Sequence, residues 1–171
     1  TGTDRIFEAY QELRDENIEY VINLQGDEPM LDIEDVHNLL KKTIEKKSKI
    51  STLACQIEDE KFFLNKNIVK VTTKEELHQN NLSIASSFTR EIENTQKNIY
   101  HHIGIYIYNV SYLEKFVQLE QTQNEKSQKL EQLRLIDNNI EIDVGLAKTK
   151  PIGVDTDEDY LEIKKIMEYK N

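Results

Sequence analysis

The stretch Tyr20-Val21-Ile22-Asn23-Leu24 runs directly into Gln25-Gly26-Asp27-Glu28-Pro29, so a buried strand ends abruptly in an acidic turn. β-branched and aromatic residues favour extended backbone, and a Gly followed by Pro closes it. Open α/β sheets use this placement, because their ligands bind outside the carboxyl ends of the strands. Upstream, Ile6, Ala9, Tyr10 and Leu13 recur at helical spacing and predict a helix over Asp4–Arg14. Helix and strand together make half of a β-α-β unit.

The rest of the chain continues in this alternating manner. Asp32 or Glu34 starts a second helix with Val36, Leu39, Leu40 and Ile44 on one face and lysines at its end, where they suit the helix dipole. Strands are predicted over 52–57, 68–73 and 82–88, the last two joined by a polar turn at 78–81, and residues 91–98 read as a loop. In His101–Tyr108, the residues Ile103, Ile105 and Ile107 alternate with polar or aromatic ones, so the two faces of this strand do different work. Helices follow over 111–119 and 126–136, then a strand over 140–146. Beyond Pro151, Ile152-Gly153-Val154-Asp155 brings a second acid after apolar residues, and Thr156 with Asp159 resembles a capping box for a terminal helix.

With 171 residues and no internal repeat, one domain covering 1–171 is expected. The 32 acidic against 22 basic residues give a formal charge of -10, which opposes broad contact with nucleic acid or anionic membranes. Cys55 is the only cysteine, so no internal disulfide forms, and no apolar run reaches the length of a membrane span. A cytoplasmic protein is expected. The chain opens at Thr1-Gly2-Thr3-Asp4 and enters a helix at once, which points to a missing amino-terminal portion.

Asp27 and Asp155 share a local setting and are candidates to converge on one Mg2+, a hard cation that takes oxygen ligands. Asp beside Gly also makes an ordinary turn. His102, placed early in its strand, is expected to point away from the core toward a ligand, with Tyr106 on the same face. A satisfied or surface histidine is the plainer reading. In Leu130-Glu131-Gln132-Leu133-Arg134, helical spacing buries the two leucines and leaves Glu131, Gln132 and Arg134 for partners or for solvent. Arg90 is a candidate for a forked grip on an anion. Cys55 reads as a small core residue.

In order along the chain, Gly2-Thr3-Asp4-Arg5, Asn23-Leu24-Gln25-Gly26-Asp27-Glu28-Pro29-Met30, Thr52-Leu53-Ala54, Asn67-Ile68-Val69-Lys70-Val71, His102-Ile103-Gly104-Ile105-Tyr106, Leu130-Glu131-Gln132-Leu133-Arg134 and Gly153-Val154-Asp155-Thr156 resemble the 3-deoxy-manno-octulosonate (Kdo) cytidylyltransferases, the CMP-Kdo synthetases of lipopolysaccharide biosynthesis. The resemblance implies a three-layer, Rossmann-like α/β nucleotidyltransferase fold. Its sheet would be mostly parallel, with an antiparallel excursion that forms a homodimer. It implies that Asp27 and Asp155 hold Mg2+, and that Gln25, Arg90, His102, Tyr106, Glu131 and Gln132 contact the sugar acid. CTP and Kdo would be the substrates. Alternatives are a cytidylyltransferase for a related acidic sugar and a non-catalytic sugar-acid binding or dimerisation module.

Departures from the family are equally specific. Nothing here matches its opening loop of Gly, Arg and Lys, which cradles the triphosphate, so the chain alone is expected to be inactive. Glu91-Ile92-Glu93-Asn94 lacks the usual Ile-Pro, and Gln123-Asn124-Glu125 stands in place of Pro-Leu-Glu.

Overall fold

The apolar faces anticipated for the helices are satisfied against a six-stranded sheet in the computed structural model. It describes residues 2–13, 17–25, 31–57, 61–92 and 97–149, together with 160, 161, 163–165 and 168. The elements are α1 (Gly2–Leu13), β1 (Tyr20–Asn23), α2 (Ile33–Lys46), β2 (Ile50–Cys55), α3 (Lys61–Leu64), β3 (Lys70–Thr73), β4 (Leu82–Thr89), β5 (Ile99–Asn109), α4 (Val110–Gln118), α5 (Gln123–Gln128), α6 (Leu133–Asp137) and β6 (Asp143–Leu146). Asp32 is the N-cap of α2, its carboxylate accepting from the Glu34 N–H at 2.9 Å. No helix among the described residues is long and apolar enough to cross a membrane.

The sheet order is β1-β5-β2-β6-β4-β3, and β3 pairs again with β5. Among the described pairings only β2–β6 is parallel. The mostly parallel sheet that the resemblance implies is therefore not found among these pairings, which make a mixed sheet, and only a shared strand direction remains. β1 and β2 both run antiparallel to β5, so β1, β2 and β6 point the same way with β5 inserted between the first two.

Two apolar layers cover the sheet, which makes three layers in all. On one face Val36 and Leu39 of α2 pack on Leu53, Ile103, Ile105 and Ile107. On the other, Leu113 and Phe116 of α4 and Leu133 and Leu135 of α6 pack on Ile50, Ala54, Tyr106 and Tyr108, with Ile6 and Phe7 of α1 at the margin. The alternation along β5 therefore separates isoleucines facing α2 from aromatic residues facing the other helices. Cys55 is buried in the first layer.

The single helix predicted over 126–136 is two helices. Lys129 takes a left-handed conformation (φ 53°) as the C-cap of α5, and the chain turns before α6. In a continuous helix, residues nine apart lie on opposite sides and about 13.5 Å apart along the axis. The break lets Arg134 fold back onto Glu125, nine residues earlier, at 2.8 Å and 2.5 Å. A Thr-x-x-Glu signal, Thr122 to Glu125, marks the true start of α5: the Thr122 hydroxyl accepts from the Glu125 N–H at 3.2 Å.

Candidate functional site

The carboxyl ends of β1 and β2 lie beside the stretch of β5 from His101 to Tyr106. Gln25, just past β1, lays its side chain over Gly104. A β-carbon at position 104 would sit 3.1 Å from the Gln25 Oε1 and 3.3 Å from its Cδ. His102 and Tyr106 flank Gly104 on the same face, their rings 5.5 Å apart.

His102 is turned inward, against the expectation that it leaves the core, because the face it shares with Tyr106 and Tyr108 is roofed by helices and aromatic rings. The Phe88 ring meets it edge-on at 5.1 Å. The Thr52 hydroxyl has one proton and stands 2.6 Å from the Ile105 carbonyl, so it donates there. His102 Nε2, 2.9 Å from the same hydroxyl, must then carry the proton and donate to it. Nδ1 is left as an acceptor. Burial, with His101 adjacent, pushes the His102 pKa down to about 3, and the ring is neutral at physiological pH.

Glu131 and Gln132 come from the turn between α5 and α6. Glu131 approaches the first turn of α1, where a β-carbon on Gly2 would lie 3.8 Å from its Oε2. Burial, the neighbouring Tyr108 and the Glu131 carboxylate hold the Tyr106 phenol well above its ordinary range. The Tyr106 hydroxyl and Glu131 Oε1 are both buried and make no well-formed hydrogen bond among the described residues, although Thr52 stands near the hydroxyl. Buried polar atoms left this way are uncommon, and the two groups lie close enough for the Glu131 charge to act on the phenol, a pairing that suits a ligand bearing hydroxyl groups. Gln132 is buried at the N-terminus of α6.

Arg134, expected to be free for a partner, is instead 3% exposed and engaged by Glu125. Its guanidinium lies 5.0 Å from the Phe116 ring centre and 3.9 Å from Glu131 Oε1. Burial raises the Glu125 pKa, but the Arg134 and Gln121 hydrogen bonds and the Arg134 charge outweigh it and hold the carboxylate below its ordinary value.

Arg90 lies at the end of β4, one residue beyond the row in which Thr89, Lys70 and His101 pair side by side. Its Nη1 donates to the Lys66 and Asn67 carbonyls at 3.1 Å and 3.3 Å. Sequence reasoning passed over Lys70, although a lysine inside the apolar run Ile68-Val69-Lys70-Val71 was a visible signal.

Asp27 and Asp155, the predicted Mg2+ ligands, lie outside the described residues, and the described residues alone hold no cluster of three metal-ligating side chains. Their chemistry fits a hard cation. β1 and β6 end on the same side of the sheet, three strand positions apart in its order, a separation of roughly 14 Å.

A family model described as cytidylyltransferase matches residues 1–142. The 3-deoxy-manno-octulosonate cytidylyltransferase of Thermodesulfovibrio yellowstonii is 42% identical, over 93% of this chain and 66% of its own length. That of Rhodopseudomonas palustris is 41% identical, over 98% of this chain and 68% of its own length. The chain thus spans about two thirds of the curated relatives it matches. A solved CMP:2-keto-3-deoxy-manno-octonic acid synthetase complexed with CTP superposes with a TM-score of 0.85 at 29% identity, covering 100% of this chain and 69% of that one. With a family model matched over most of the chain, relatives above 40% identity and a shared fold, the chain belongs to the cytidylyltransferase family, alongside the 3-deoxy-manno-octulosonate cytidylyltransferases.

Proposed function

We propose that the protein carrying this chain transfers a cytidylyl group from CTP to Kdo: the anomeric 2-hydroxyl attacks the α-phosphorus, and pyrophosphate leaves. The observation that carries this reading is Gln25 laid over Gly104 beside Tyr106 at the carboxyl end of β1, with the Glu131 carboxylate close enough to act on the Tyr106 phenol.

Charge sets the orientation of the sugar acid. Glu131 repels a carboxylate and accepts only from donors, so it takes sugar hydroxyls together with Tyr106 and Gln25. Arg90 takes the carboxylate. His102 is neutral and offers Nδ1 as an acceptor, so it contributes a directed hydrogen bond and no charge. Gln132 completes the wall beside Glu131. No covalent nucleophile is needed, and these residues act by holding the attacking hydroxyl in line. Asp27 and Asp155 would hold Mg2+, which supplies charge compensation on the triphosphate when bound. We place the reaction in the cytoplasm, in a homodimer, with its product feeding lipopolysaccharide assembly.

The test is pyrophosphate release by the intact gene product given CTP and Kdo. Release that requires both substrates and Mg2+ is expected. No release with Kdo alongside turnover of another acidic sugar overturns the substrate, and no release with any acidic sugar overturns the activity.

A further inference from the structure

Lys70 is 0% exposed, yet no carboxylate forms an ion pair with it among the described residues. Its ammonium donates to two backbone carbonyls, Asn65 at 2.6 Å and Arg90 at 2.9 Å. Burial, with the Arg90 guanidinium close by, holds Lys70 below the ordinary lysine value despite Glu91. Burying an ammonium is costly unless its hydrogen bonds are made, so a fold that keeps one here gains something a neutral side chain of this length would not supply.

The surrounding contacts show what is held. The Asn65–Asn67 loop and the Arg90–Glu91 corner are tied three times: through Lys70, through the Arg90 side chain on the Lys66 and Asn67 carbonyls, and through a 2.6 Å ion pair from Lys66 to Glu91. Arg90 is therefore restrained at its backbone by Lys70 and at its guanidinium by the loop that Lys70 also holds.

We propose that Lys70 is a positioning residue for Arg90. It fixes the backbone from which the guanidinium projects and the loop carbonyls that orient it, so that the remaining N–H groups are set before an anion arrives. Preorganisation of this kind lowers the ordering cost of binding. Lys70 makes both of its hydrogen bonds to the chain itself and is not exposed, so it acts through Arg90 and does not touch the substrate. The inference rests on the reading that Arg90 holds the sugar-acid carboxylate.

The test is a double-mutant cycle on the intact gene product, with steady-state kinetics in CTP and Kdo and a melting curve for each variant. Lys70→Met should raise KM for Kdo about tenfold, while KM for CTP and kcat stay within about twofold. Arg90→Ala should raise KM for Kdo at least as much, and the double variant should be no worse than Arg90→Ala alone. A purely structural role would move all three constants together. A Lys70→Met effect that multiplies that of Arg90→Ala, or no effect on KM for Kdo, overturns the proposal. An Arg90→Ala variant with unchanged KM for Kdo refutes the carboxylate reading itself. If Lys70→Met does not fold, Lys70→Gln carries the same cycle: it keeps a donor for one of the two carbonyls, and a smaller but still non-additive rise is expected.

Discussion

At position 104 the missing β-carbon is what makes room for Gln25. The backbone of Gly104 is not in the left-handed region, so alanine costs nothing conformationally, but its methyl would stand 3.1 Å from the Gln25 amide oxygen. Gly104→Ala should therefore displace Gln25 and weaken Kdo binding about tenfold with a melting temperature almost unchanged. Calorimetric titration and a thermal melt check this, and a lower melting temperature with unaltered affinity would refute it. His102 gives a second prediction at the same scale. Its pKa is near 6.5 when exposed and about 3 when folded, so below pH 6.5 the unfolded chain takes up a proton that the folded chain refuses. The contribution is fully present above pH 6.5 and is lost as pH falls toward 3, at up to about 1.4 kcal/mol per pH unit. Denaturant unfolding of His102→Gln should show a shallower acid slope by that amount, and equal slopes would count against the burial described. The sequence placed His102 and Tyr106 on one face, because alternation along a strand is strict. It did not show that this face is covered, since the cover comes from Phe88 and the helices, far away along the chain.

Among the elements, the α5–α6 turn depends most on a single interaction. Glu125 and Arg134 are 4% and 3% exposed, and removing the Glu125 charge leaves the buried guanidinium only the more distant Glu131, at 3.9 Å. Glu125→Gln should cost roughly 3–5 kcal/mol and lower the melting temperature on the order of 10 °C. Because Glu131 and Gln132 ride on this turn, Kdo affinity should fall as well. An unchanged melt would show that the pair is dispensable. Helical spacing of Leu130 and Leu133 made the region look like one continuous helix. The break was not visible in that spacing, since it is driven by a contact between residues nine apart that only the folded-back chain can make. The Thr122 cap went unread and the helix was started at 126, whereas α2, whose start was read from Asp32 or Glu34, is capped by Asp32.

For the whole molecule, apolar periodicity carried the α/β class, because it reports which faces are covered, whereas the three layers came from the family resemblance. Strand order was less accessible. Nothing local in Ile99–Asn109 says that it inserts antiparallel between two strands that run together, and the long separation of the partners hides the register. That insertion sets a hierarchy of persistence. β5 is hydrogen-bonded on both edges, to β3 and β2 near its start and to β1 and β2 near its end, while β1 has β5 as its only partner among the described residues. Amides of β5 should be the slowest in the chain to swap deuterium for hydrogen, and half of those in β1 among the fastest of any strand, as resolved by mass spectrometry of peptic fragments. The molecule would then open from its β1 margin inward, and the far end of β5, where His101 is paired with both β2 and β3, would be the last part to let in solvent.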